Sequence, residues 1–150
     1  MAEMNKSIHM GTTGISVQRT MGEIQQCLAA AGATDILIQY QNGQPIGLKF
    51  LLLIGELKAP FVLPARVDLL YAKLHQPRKR RVRNAEAIDR AQAEKTAWRL
   101  ILRWLQAQLA MIDTGMVQAV EVFLPYADMG GQTLFQRMDE TGFKQLPLHT

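Results

Sequence analysis

A single cysteine, Cys27, excludes an internal disulfide, and its place on an apolar helical face marks it as a small buried hydrophobe. That usage fits a reducing compartment. The chain has 150 residues, enough to bury about two thirds of its unfolded surface without a staple. Serine is almost missing: Ser7 and Ser16 are the only two, and neither sits in a nucleophile elbow. The three histidines, His9, His75 and His149, stand far from one another and from Cys27, so no zinc-ligand spacing exists. There is no Walker loop, no G-x-G-x-x-G and no H-E-x-x-H. The acids are scattered; Glu23 and Glu121 are the pair that could meet in space, and both read more readily as surface residues. These absences assign no catalytic residue, no metal and no cofactor, and they disfavour an enzyme. No apolar run reaches the roughly 18 residues of a membrane span, and "IGLKFLLLIG" is interrupted by Lys49.

Charge, by contrast, is concentrated. Residues 76–105 hold nine Lys/Arg against three Asp/Glu, net +6. Residues 1–75 are net +1 and residues 106–150 net −3. The centre of this field is "RKRRVR", with five cations in six positions: Arg78, Lys79, Arg80, Arg81 and Arg83. A solvated connector is the bland reading of such a run. Forked guanidinium donors match phosphate oxygens, however, and a local positive field steers polyanions inward.

The element pattern starts with a helix over 17–31, in which Val17, Met21, Ile24, Leu28 and Ala31 share a stripe between a Ser16 cap and a Gly32 stop. The period then changes to two. Ile36, Ile38 and Tyr40 alternate, Asn42-Gly43 suits a type I′ hairpin, and Ile46 to Ile54 return. The second strand is expected to be covered on both faces at its far end, through Leu51 and Leu53. A turn at Gly55-Glu56 leads to a third strand, "LKAPFVLP", which Pro60 places at a sheet edge. A short helix over 65–74 precedes the basic run, and Asn84 could cap a long helix over 85–112 that stops at Gly115. "MVQAVEVFLPY" is ambiguous between strand and helix, and "TLFQRMDETG" suits a last short helix. The fold class expected is α+β: helix, three-stranded antiparallel sheet, short helix, long helix, irregular C-terminal segment. It forms a single domain over 1–150, with 1–14 flexible and 75–84 a basic connector.

On the long helix, Ile88, Ala91, Trp98, Leu102, Leu105, Leu109 and Ile112 form the apolar stripe, and Trp98 is expected in the core. Ala97, Ile101, Trp104 and Met111 widen it beyond what one sheet face covers. A homo-oligomer is therefore expected, with Ala97, Trp104 and Met111 near the contact. On the polar side, Lys95, Arg99 and Arg103 recur every four residues with Arg90 nearby, so the basic run continues as a helical ridge. The helix N-terminus adds its own attraction for anions. DNA or RNA is the expected partner, held by its phosphate backbone through residues 78–83, 90, 95, 99 and 103. Tyr40 is the aromatic best placed to stack on a base, although sheet packing is its commoner role. The order helix, three strands, helix parallels double-stranded-RNA-binding domains, but an extra helix intrudes and their lysine-alanine pattern is absent.

Four segments, "SVQRTMGEIQQCLAAAGAT", "FVLP", "KTAWRLILRWLQAQLAMIDTGM" and "EVFLPY…TLFQRM…LPL", span nearly the whole chain. In this order the chain resembles a family of small proteins encoded by phages and prophages. That resemblance implies a mobile-element context, in DNA metabolism or in interference with host defence; with no apolar run of membrane length and no signal-peptide core in "MAEMNKSIHMGTTG", the expected location is the cytoplasm of the host cell. The resemblance carries over no site residues. An alternative of another class follows from it: an inhibitor or nucleotide sponge acting against a host defence system, with a host protein or nucleotide as the partner.

Overall fold

The computed structural model describes residues 13–74, 89–147 and 149. The basic run 78–83, the Asn84 cap and Ile88 lie outside the described residues, as do residues 1–12 of the stretch expected to be flexible. The architecture is mixed α+β. In chain order it comprises α1 (Val17–Ala30), β1 (Ile36–Gln41), β2 (Gln44–Ile54), β3 (Leu57–Pro64), α2 (Val67–Leu74), α3 (Arg90–Asp113), α4 (Ala119–Phe123), a 3₁₀ turn (Leu124–Tyr126) and α5 (Leu134–Glu140). Two compact units emerge. Among the described residues, one is drawn from 13–27, 65–74 and 89–107, the other from 28–64, 108–147 and 149.

The first unit is helical. Ser16 caps α1 as expected, its Oγ accepting from Arg19 N–H at 3.2 Å. Met21 and Ile24 are buried along the stripe, whereas Ala31 is exposed and lies past the helix end. On α3, Trp98, Leu102 and Leu105 are wholly buried. The predicted stripe fails at Ala91, which is exposed, because α3 is enclosed over a different span than its polarity suggests. Ala93, Glu94, Thr96, Ala97, Trp98 and Arg99 are all buried. These residues are spread around most of the helix axis, leaving the side of Lys95 more open, so the stretch 93–99 is enclosed more widely than one apolar stripe would be. Ala97 is 7% exposed and so cannot sit at the expected oligomer contact. Thr13 is anchored to the same helix: its carbonyl accepts from Gln92 Nε2 at 2.7 Å.

The second unit holds the sheet, in the order β1-β2-β3, antiparallel throughout. Asn42 and Gly43 both take positive φ, 53° and 77°, as the primed hairpin turn requires. The inner face carries buried Leu48, Phe50, Leu52, Phe61 and Leu63. Phe123 of α4 closes this core, its ring 5.5 Å from Phe50 and 5.7 Å from Phe61. Gly47 is favoured by space rather than by φ: a Cβ there would lie a tight 3.1 Å from the Leu63 carbonyl oxygen and 3.3 Å from Gln39 Oε1. β3 is an edge strand, as Pro60 predicts. The C-terminal segment, with its expected last short helix, borders that edge: Asp128 N–H donates to the Pro60 carbonyl at 2.9 Å, and Phe61 bridges Ala127. The other face of the sheet departs from expectation. Leu51 is only half-buried and Leu53 is 61% exposed, so the far end of β2 is covered on one face alone.

Candidate nucleic-acid interface

Of the nine cations expected to form the interface, the described residues include Arg90, Lys95, Arg99 and Arg103; Arg78, Lys79, Arg80, Arg81 and Arg83 lie outside them. The four share one helix, but their surroundings separate them. Arg99 is 5% exposed. Its Nη1 donates to Glu23 Oε2 at 2.6 Å and to Thr20 Oγ1 at 3.3 Å, both on α1. A buried guanidinium needs a carboxylate to offset its lost hydration, and here that partner is 76 positions away in sequence. Arg99 is therefore a structural ion pair and not part of an exposed ridge. Its Nε and the Trp98 indole Nε1 are buried without a hydrogen-bond partner among the described residues.

Arg90 stays half-exposed but is engaged. Its Nη1 lies 2.5 Å from Asp68 Oδ1 of α2, its Nε 3.9 Å from Glu94, and its guanidinium 5.9 Å from the Tyr71 ring centroid. Contacts of this kind at the surface contribute little energy, yet they orient the side chain toward α2 and offset its charge. Lys95 is half-buried, and Arg103 is exposed, with its Nη1 3.1 Å from Gln106 Oε1. No carboxylate pairs with either among the described residues. The described ridge thus shrinks to Lys95 and Arg103.

The helix N-terminus also differs from expectation. Asp89 caps it: Gln92 N–H donates to Asp89 Oδ1 at 2.8 Å, and Ala93 N–H to the Asp89 carbonyl at 3.1 Å. The macrodipole and one free N–H are thereby offset by a carboxylate of the chain itself. A carboxylate of the chain itself thus takes up part of the attraction expected of that terminus.

The acids considered for chemistry have structural tasks. Glu23 holds Arg99 and Arg19, and Glu121 Oε1 accepts from Gln118 N–H at 3.2 Å at the start of α4. Among the described residues no three of His, Cys, Asp and Glu gather in a group that could hold a metal ion. Burial pushes the Cys27 thiol up, away from the reactive thiolate. Asp128 moves the other way. Its bond with Lys49 Nζ, at 2.6 Å, is the main cause of a lowered carboxyl pKa, supported by Gly131 and Gly130 N–H groups. Tyr40, the candidate stacking residue, is 62% exposed. Among the described residues no helix is long and apolar enough to cross a membrane.

The chain matches no protein-family model, no curated protein and no solved structure.

Proposed function

We propose that this protein binds the phosphate backbone of nucleic acid without catalysing a reaction, in the cytoplasm of a cell hosting a phage or other mobile element. The observation that carries the proposal is the run at 78–83, five cations in six positions. Lys95 and Arg103 support it as cations without a carboxylate partner among the described residues. Arg99 is left out of the proposed contact set, and Arg90 enters it with its Nη1 already paired to Asp68. The mobile-element context rests on the resemblance in "KTAWRLILRWLQAQLAMIDTGM" and its companion segments.

Replacing Arg78, Arg80, Arg81 and Arg83 together with Gln tests the proposal. Affinity for oligonucleotides should fall, and the salt slope should shrink by roughly 0.7–0.9 for each phosphate that is no longer neutralised. An unchanged affinity would remove the run from the site. A second reading, an inhibitor acting against a host defence protein, is favoured by the large apolar side chains on the sheet, with Leu53 61% and Leu57 76% exposed. Absence of micromolar binding to any nucleic acid at low salt would favour it.

A further inference from the structure

The two edges of the sheet are built differently. Leu51 N–H donates to the Asp35 carbonyl at 3.1 Å, which fixes the alternation along β1. Residues 35, 37 and 39 direct their main-chain groups at β2, and Ile36 and Ile38 direct theirs outward. The same alternation turns Lys58, Pro60, Val62 and Pro64 outward on β3, in agreement with the Asp128 bond to the Pro60 carbonyl. That edge is blunted by two prolines, a lysine and the C-terminal segment, which are the usual protections against strand addition. β1 has none of them. Its six residues, "ILIQYQ", carry no charge and no proline, and its side away from β2 has no strand partner among the described residues.

We propose that β1 is the docking edge for β1 of a second copy of this chain, paired antiparallel about a two-fold axis at Leu37. In that register Ile36 and Ile38 of each copy exchange four main-chain hydrogen bonds. Leu37, now 58% exposed, meets its own symmetry mate at a non-hydrogen-bonded pair, where opposed side chains approach most closely. Asp35 falls opposite the uncharged Gln39, so no like charges oppose each other in this register. The register shift between Gln39 and Tyr40 places its extra residue, Ile46, on β2, so β1 itself stays regular and its outer edge is not interrupted there. Two three-stranded sheets become one of six strands.

Sedimentation of the full chain without nucleic acid, over a dilution series, reads the assembly. A concentration-dependent dimer is expected. Leu37→Lys places two ammonium groups opposite each other and should weaken the dimer by at least about tenfold. Leu53→Lys, on the same face but away from the edge, should leave it unchanged. In a Cys27→Ala background, Leu37→Cys should form an intermolecular disulfide on mild oxidation, because opposed non-hydrogen-bonded positions lie about 4.5 Å apart at Cα, within disulfide range. Leu53→Cys should not. A chain that is monomeric at tens of micromolar, or a dimer indifferent to both changes at Leu37, would overturn the proposal.

Discussion

A guanidinium inside a helical unit is stable there only while a carboxylate faces it, and Arg99 has Glu23 at 2.6 Å for that purpose. Glu23→Gln keeps the shape and removes the charge. It should cost about 1–3 kcal/mol, the range for losing a charged hydrogen bond at a partly exposed acid, measured by urea unfolding. Arg103→Gln should do the converse, leaving stability nearly unchanged while lowering the magnitude of the salt slope for nucleic acid by roughly 0.7–0.9, the share of one phosphate. If Arg103 proved as costly to stability as Glu23, the assignment of the exposed and buried cations would be reversed. Trp98, wholly buried, belongs to the same enclosed stretch of α3. Trp98→Ala should destabilise by about 3–5 kcal/mol in the same assay, as buried aromatics do.

At the scale of elements, two local devices hold the second unit. Gly47→Ala would drive a Cβ against the Leu63 carbonyl and the Gln39 side chain. A backbone oxygen cannot move aside cheaply, so about 1–3 kcal/mol of overpacking cost is expected in thermal unfolding. The Asp128–Lys49 pair joins the C-terminal segment to β2. Its carboxyl pKa is lowered in the folded state, chiefly by the Lys49 bond. The folded state therefore binds that proton less readily than the unfolded chain. The pair's contribution is present above about pH 4, where an unfolded Asp is already ionised, and is lost as pH falls through the folded value below it. Asp128→Asn should lower stability at neutral pH, and its difference from the wild type should shrink below about pH 4. A difference that does not change with pH would refute this account of the pair.

Much of this level was legible in the sequence. Asn42-Gly43, Gly32 and Pro60 specify local geometry by their own chemistry, and each sits where that chemistry requires. Hydrophobic period located α1 and the strands. It could not place Arg99, because four-residue spacing describes a face of a helix and does not reveal what lies against that face. The partners of Arg99 and Arg90, on α1 and α2, are set by tertiary packing. The Asp89 cap is not what the sequence pattern points to: Asn84, at the end of the basic run, is the capping residue it suggests. The bare edge of β1 became evident only once the strand order was known.

On the scale of the whole molecule, the charge distribution is the feature on which the proposed binding rests: net +6 over 76–105 against −3 over 106–150. A field of that kind attracts any polyanion and is screened over about 10 Å at ordinary ionic strength. Pairing through β1 would give each assembly two such fields, so dimer formation and binding should rise together with protein concentration. The measurement that tests the central claim most directly is an oligonucleotide titration repeated between about 50 and 200 mM salt, with single- and double-stranded forms compared. Counterion release predicts a linear fall of log affinity with log salt, with a slope of roughly −3 to −6 for binding through the basic run with Lys95 and Arg103. Affinity that is absent at the low-salt end, or present but indifferent to salt, would contradict it.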